Sequence, residues 1–575
     1  MFATASCSDY SDYNTVPEDA LPTANNTLWQ NISENEQLQD FTAIIAKAGY
    51  ANTLSSSRFY TLWAPVDGTY DAQAVLSKDS AAIVREFIEH HMTDYNHPVT
   101  GEVNERIVSL NDKHHDFTNT SFDNVAIERA NIASSNGVIH FINGRSMFYP
   151  NLYEEVDNLE GCDAFKNFIQ KYDEYYLDVE NSVIGPMVNG QQTYLDSVFK
   201  KRNNIISRIL NAQLENEDSS YTMLYPTDVA WETAYSNISP NYNYIAKLDY
   251  MNIVGNATTA ANLTATTAKN PEPVEIDAEL YKDSLTKNSI VRYLAYSNTD
   301  ERNNPIWSGE LNSQIPDTLK STTDGYITNV RDIFNHTVGD VQKSSNGYYR
   351  IIDSLCLKSW ETYEPVRTYM NPIRVLGLRT NSNATKYNVV KNLLAGRDTL
   401  FEKVPVFIKK MLLPEQSQLF TYISTDAANF ANTTARPELD FALRDVQSTK
   451  YHIFVVTVPA QVSDPYQPLK PTYLRFDMSY TDAAGTQRYQ RLNVPGANRL
   501  TDDIIAEAGK LNVIELEFEF PVCYNGLSAF PTLFMSHTKT FGTSSNRNRY
   551  DQELRVAGIY LVPERAYEYM KNITE

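Results

Sequence analysis

Tyr60-Thr61-Leu62-Trp63-Ala64-Pro65-Val66-Asp67 recurs in this chain as Tyr221-Thr222-Met223-Leu224-Tyr225-Pro226-Thr227-Asp228, with Tyr70 answered by Trp231. Further along, Ser134-Ser135-Asn136-Gly137-Val138-Ile139-His140-Phe141-Ile142 recurs as Ser344-Ser345-Asn346-Gly347-Tyr348-Tyr349-Arg350-Ile351-Ile352. Two motifs repeated in the same order mean one domain type used twice. Pro226 follows Pro65 by 161 residues and Gly347 follows Gly137 by 210, so the second copy carries 49 additional residues between its motifs. The first motif reads as a short apolar strand closed by a proline, whose missing N–H ends the ladder. The aspartate after it is placed to turn the chain or cap a helix. The second motif reads as an Asn-Gly turn entering a strand, because this pair takes positive φ readily. Between them Val84, Phe87, Ile88 and His91 fall at i, i+3, i+4 and i+7, one face of a helix.

The order TLWAPVDGTY, FIEHH, SSNGVIHFIN resembles the fasciclin domain, and residues 27–50 look like that domain's opening helices. Pro65, His91, Gly137 and His140 in the first copy, and Pro226 and Gly347 in the second, stand at the family's motif positions. The second copy departs from the pattern at Tyr225, where the family has Ala, and at Arg350, where it has His. The family's Tyr-His pair is His90-His91 here and Tyr296-Ser297 in the second copy, which sets both apart from the adhesion role attributed to that pair. The lead-in at residues 193–228 resembles fasciclin proteins of the Bacteroidetes cell envelope. The resemblance spans residues 27–358 and implies a fold more than a ligand.

A length of 575 residues implies about three to four domains. Forty-nine basic against 71 acidic side chains leave a net charge of −22, spread along the chain and without basic patches. Such a surface excludes nucleic acid as a partner. No stretch of eighteen apolar residues exists, so no helix is expected to cross a membrane. Met1-Phe2-Ala3-Thr4-Ala5-Ser6-Cys7 nevertheless resembles the end of a bacterial lipoprotein signal, which makes Cys7 the candidate lipidation site. The acidic, polar residues 8–14 resemble the export tag of Bacteroidetes surface lipoproteins. The other cysteines, Cys162, Cys356 and Cys523, cannot all pair and show no metal-site spacing.

Residues 1–26 read as a tether, 27–150 as the first fasciclin-like domain, and 151–358 as the second. The latter includes an Asn/Ala/Thr-rich insertion at 252–275. From about residue 359 the pattern changes to strands. Residues 451–458 are a nearly continuous apolar run ended by Pro459. Leu474, Phe476, Met478 and Tyr480, and again Ile514, Leu516, Phe518 and Phe520, alternate with polar residues. Residues 359–575 therefore read as a jelly-roll-like β-sandwich. The fold class is multidomain, α+β and all-β: two fasciclin-like α/β domains followed by that sandwich.

No nucleophile elbow, phosphate loop or dinucleotide fingerprint is present, and no cofactor is expected. His90-His91 and His114-His115-Asp116 lack the i, i+4 spacing of a helical zinc site, so no metal is expected and His91 reads as a hydrogen-bonded core histidine. Glu515, Glu517 and Glu519 read as the solvent face of a strand rather than a hydrolase pair. Three aromatics remain as ligand candidates, Trp307 in a loop, and Tyr524 and Phe530 beside a glycine-containing loop, with Trp360 marking a domain junction. The resemblance implies a non-enzymatic, lipid-anchored protein at the outer surface of the outer membrane. It would serve adhesion or macromolecular capture as an accessory of a nutrient-uptake transporter and its lipoproteins, or else bind a glycan through the sandwich.

Overall fold

Six consecutive buried residues make strand β1, Tyr60–Pro65, and a strand buried on both faces needs a layer on each side. The computed structural model describes residues 25–203, 206–248, 252–253, 268–269, 274–299, 319–323, 325–327, 329–357, 385–391, 398–412 and 419–570. Cys7, Trp307, Trp360 and most of the Asn/Ala/Thr-rich insertion lie outside these residues. Two compact units result. One gathers the described residues up to Leu159 with Gln213–Tyr221 and Gln342–Tyr349, and the other holds the remainder.

In the first unit β1 joins β2 (Met92–Asp94), β3 (Asn104–Val108), β4 (His114–Thr118), β5 (Ser121–Phe122), β6 (Val125–Ser134) and β7 (Gly137–Ile142) in the order β2-β1-β7-β6-β5-β4-β3. β1 and β7 run parallel, Tyr60 opposite Gly137. Alternate residues of these two strands serve two cores. Leu62, Ala64, Ile139 and Phe141 pack with Leu28, Phe41 and Phe87 from the helical layer. Trp63 packs on the other face with Val103, Ile107, Phe117 and Phe122, its indole stacked 4.3 Å from the Phe122 ring.

The stretch carrying Phe87, Ile88 and His91 is not one regular helix. Ser80–Ile83 is α-helical, Val84–Ile88 is a π turn and Glu89–His91 a 3-10 turn. Phe87, Ile88 and His91 still face the interior, and Val84 is half-buried.

The repeated motifs make the same bonds in both copies. The aspartate after the proline caps a helix distant in sequence. Asp67 accepts from Gln39 and Asp40 N–H at 2.7 and 3.0 Å, at the start of Gln39–Ala48. Asp228 accepts from Ala164 N–H at 2.7 Å, at the start of Asp163–Gln170. Tyr60 N–H donates to Asn136 O (3.2 Å) as Tyr221 N–H donates to Asn346 O (3.1 Å). The Asn136 side chain accepts from Leu28 N–H (2.8 Å) and donates to Leu54 O (3.0 Å) and Ser56 O (2.7 Å). Asn346 likewise accepts from Leu152 N–H and donates to Leu214 O and Asn216 O.

The Asn-Gly reading needs correction. Neither Ser135 nor Asn136 has positive φ. Gly137 and Gly347 are required instead because a Cβ would stand 2.1 Å from Tyr60 O and 1.9 Å from Tyr221 O respectively.

In the second unit β8 (Glu174–Val188) and β9 (Gln191–Arg202) form a two-stranded hairpin. Strand β10 (Tyr221–Pro226), whose first residue is counted with the first unit as are Gln342–Tyr349, lies in a four-stranded sheet of order Ala295–Ser297, β10, Gly347–Ile352, Gln342–Ser344. Farther on, two antiparallel five-stranded sheets make the sandwich. Lys450–Thr457 sits between Asn512–Glu519 and Arg555–Pro563 in one, and Thr472–Thr481 is central in the other. Leu474, Phe476, Met478, Ile514, Leu516 and Phe518 point into the shared core as their alternation requires. Leu248, before the second copy's insertion, joins that core, and Val274 and Ile276 at and just after its other end pack against it.

Candidate functional site

Of the histidines, those in the first unit are gathered most closely. His91 is fully buried, its Nδ1 2.7 Å from Phe87 O, and its Nε2 accepts from Ser146 N–H at 2.9 Å. Burial pushes its imidazole down to about 4. This is the core histidine the sequence suggested. His140 is equally buried, accepting from Asn131 N–H and facing His97 O at 2.9 Å through Nε2.

His90 faces another way. Its Nε2 lies 3.2 Å from Ser146 Oγ and its Nδ1 3.3 Å from Asn111 Nδ2. Burial first, then the neighbouring His115, hold it well below the ordinary histidine range. His115, from β4, puts Nδ1 2.5 Å from Asp123 Oδ2 and Nε2 2.9 Å from Ser109 Oγ. Ser146 Oγ donates to the same Asp123 oxygen at 2.6 Å, and Asp116 N–H donates to the other at 3.0 Å. Burial alone would raise the Asp123 carboxyl, but the bonds from His115, Ser146 and Asp116 together hold it below its usual value. His90, His115 and Asp123 thus present one ligand atom each within 4.8 Å of one another.

Asp123 was not singled out from the sequence. Phe122 pairs with Val125 across Asp123-Asn124, whose φ values of 49° and 64° make a two-residue turn with both centres left-handed. That turn carries the carboxylate back over β4.

A cavity of about 400 Å³ adjoins the cluster, lined among others by His90, His115, Asp123, Arg145, Tyr149 and Lys343. Lys343 lies 4.7 Å over the Tyr149 ring. Among the described residues neither Arg145 nor Lys343 is held in an ion pair. Lys113 also lines it, but its ammonium is shared by Glu154 (2.9 Å) and Glu217 (2.5 Å).

The three aromatic candidates fare differently. Tyr524 is only 1% exposed and accepts from Thr481 N–H at 2.7 Å, so it is a core residue and cannot stack on a ligand. Phe530 is half-buried with the Arg444 guanidinium 5.3 Å above its ring, so that face is already occupied. Trp307 lies outside the described residues. In the second copy Arg350, at the His position, is buried over the Phe334 ring at 4.5 Å and bonded to Thr337 Oγ1.

Glu515 and Glu517 are not simply solvated. They are half-buried, with His452 Nδ1 2.8 Å from Glu515, and Lys450 Nζ 3.0 Å from Glu517 and 2.7 Å from Glu564. Cys162 and Cys523 are buried and Cys356 half-buried, none in a disulfide.

Residues 36–144 match the fasciclin domain. The match falls on β1, β7 and the helices between and before them, where the motifs placed it. No curated protein matches the chain. Among solved structures, a FAS1 domain pair from the insect cell adhesion molecule Fasciclin I is 12% identical, over 57% of this chain and 100% of that chain, with a TM-score of 0.18. The CBM22-1 xylan-binding domain from Paenibacillus barcinonensis Xyn10C is 12% identical, over 32% of this chain and 85% of that one, with a TM-score of 0.18. The CBM22-1-GH10 modules of the Clostridium thermocellum xylanase 10B are 11% identical over 33% of this chain, with a TM-score of 0.18, and this chain covers 26% of theirs.

Proposed function

We propose that this chain is a non-catalytic surface protein that captures a macromolecular partner, built from two fasciclin-like domains and a β-sandwich. The observation that carries the reading is the β8–β9 hairpin. Tyr175, Ile184, Met187, Leu195 and Phe199 are each between 62% and 75% exposed on it. A two-stranded sheet has no layer of its own against which to bury such side chains, and apolar surface of this kind marks a contact site. The partner we assign is an outer-membrane nutrient-uptake transporter with its lipoproteins. Support for that assignment is the Bacteroidetes-like sequence of residues 193–228, and the lipoprotein-like Cys7 with its acidic tag supports a location on the outer surface. A lipid anchor raises the local concentration of any partner in the same membrane, so weak single contacts suffice.

The test is purification of the native protein in mild detergent. The transporter complex should accompany it, and Met187→Asp with Leu195→Asp should abolish the association without changing thermal stability, since both positions are exposed. A native protein that purifies alone refutes the partner. In full-length precursor, Cys7→Ala should release the protein from membranes.

A second reading, glycan binding by the sandwich, loses Tyr524 and Phe530 but gains Tyr466, a residue 94% exposed. Retardation in a polysaccharide gel that disappears in Tyr466→Ala would favour it.

A further inference from the structure

The hydrogen-bonded chain from His90 to Asp123 has the composition of a transition-metal site. Two imidazoles and one carboxylate are the donor set of an open, three-ligand zinc centre. What distinguishes this cluster from a chance meeting of polar groups is that two of its three ligands have their second polar atom bonded as well. His115 turns Nε2 to Ser109 Oγ, leaving Nδ1 for the centre. His90 aims Nε2 at the centre, but its Nδ1 faces the Asn111 amide nitrogen, a donor, and that bond breaks when the ring proton moves to Nδ1 and Nε2 takes the cation. Asp123 gives Oδ1 to Asp116 N–H, leaving Oδ2. Outer bonds of this kind fix ring orientation in metal sites and raise ligand basicity.

The three ligands also come from rigid places. Asp123 sits in a tight turn whose two centres are both left-handed, and His115 lies inside β4. His90 is at the end of the helical run beneath the sheet. All three line the cavity of about 400 Å³, so a cation held by them would have a free side toward it.

The other comparable group, His452 with Glu515 and Glu517, is a weaker candidate. Lys450 already sits 3.0 Å from Glu517 and would repel a second cation there. At the first group, Lys113 is committed to Glu154 and Glu217.

We propose that His90, His115 and Asp123 bind one zinc-class divalent cation per chain, with a coordination position left open to the cavity beside Arg145 and Lys343. The geometry requires a small change. His115 Nδ1 and Asp123 Oδ2 stand 2.5 Å apart across one hydrogen bond, whereas donors about 2.0–2.1 Å from a tetrahedral zinc stand about 3.3 Å apart. The cation therefore replaces the proton of that bond, which leaves to solvent, and the pair opens by about 0.8 Å. Ser146 Oγ, now bridging His90 and Asp123, moves aside or remains as a weak donor. Water or an anionic oxygen completes the shell.

The experiment uses the untagged full chain, stripped by a chelator and titrated with zinc in a calorimeter and with cobalt(II) by visible absorption. One equivalent should bind, and cobalt should give the intense visible bands of a four-coordinate site. Zinc-edge absorption fine structure on the unsubstituted chain should show imidazole nitrogen and oxygen only; sulfur in the shell would move the metal to a cysteine and overturn the proposal. Asp123→Asn and His90→Gln should each weaken zinc binding by at least about 100-fold, and Ser109→Ala, which removes the outer bond to His115, by about 10-fold. His452→Gln should change nothing. Failure of the native chain to take up zinc, or uptake lost only in His452→Gln, overturns the assignment. Uptake retained by both the Asp123 and His90 variants does the same. The spectroscopic arm on the native chain decides the matter even where a variant fails to fold.

Discussion

Asn136→Ala tests whether the repeated Asn-Gly motif works as a clamp rather than as a turn. The side chain is almost fully buried and makes three bonds to backbone, to Leu28 N–H, Leu54 O and Ser56 O. Truncation leaves two orphaned groups in buried surroundings and a third, Ser56 O, at a partly buried site. At about 1–3 kcal/mol for each buried orphan, and less for the third, the loss should be about 3–5 kcal/mol. That is a large part of a typical domain stability of about 5–15 kcal/mol. Asn136→Asp keeps the acceptor for Leu28 but turns a carboxylate toward two carbonyls, so it should be no better than alanine. Asn143→Ala, at an exposed position seven residues on, should stay within about 0.5 kcal/mol. With two compact units in the chain a single melting curve is not two-state. The measurement is therefore hydrogen exchange of peptides covering β1 and β7, with Asn346→Ala read on residues 221–226 and 347–352. A loss below about 1 kcal/mol in Asn136→Ala, or an aspartate variant more stable than the alanine one, refutes the clamp.

Two further outcomes follow from buried polar groups. Burial lowers the His140 imidazole from its ordinary 6.5 to about 4. The unfolded chain therefore takes up the proton first, and stability present above 6.5 is lost as pH falls toward 4. The maximum loss is about 3 kcal/mol; His140→Gln should flatten that acid limb in exchange-derived stability of β7, and an unchanged limb refutes the assignment. Tyr524→Phe orphans Thr481 N–H and should destabilise the sandwich by about 1–3 kcal/mol in denaturant, without altering any polysaccharide retardation. A lost retardation with stability intact would restore Tyr524 as a ligand residue.

The frame of this fold was legible where local pattern and tertiary role coincide. β1 reads as an apolar strand because both faces are buried, and the aspartate after Pro65 and Pro226 reads as a cap because its carboxylate has backbone N–H groups to accept from. Turn chemistry was read at the wrong Asn-Gly pair. Asn136-Gly137 is there for a clamp and for a close strand approach. Asn189-Gly190, with φ values of 51° and 78°, is the two-residue hairpin turn, between β8 and β9. The flanking strands hide it: their pairing shifts register three times and their apolar residues do not alternate cleanly. Aromatic residues misled for a related reason. A glycine-containing loop suggests exposure, but Tyr524 enters the core from it because its hydroxyl has Thr481 N–H to satisfy.

The metal-ligating cluster is not legible from helical ligand spacing. On a helix, ligands four residues apart share a face; on a hairpin, partners are set by register instead. Phe117 stands opposite Phe122, which carries Asp123 past the pair to meet Asp116 and His115. Eight residues in sequence thus become 2.5 Å in space. The third ligand follows from a simpler geometry. Successive residues of the 3-10 turn point about 120° apart, so once His91 is committed to the interior with Phe87, His90 must face elsewhere. It faces Ser146, Asn111 and the cavity. The adjacent histidines therefore have separate roles, and substituting His91 would disturb the core while substituting His90 would empty the centre.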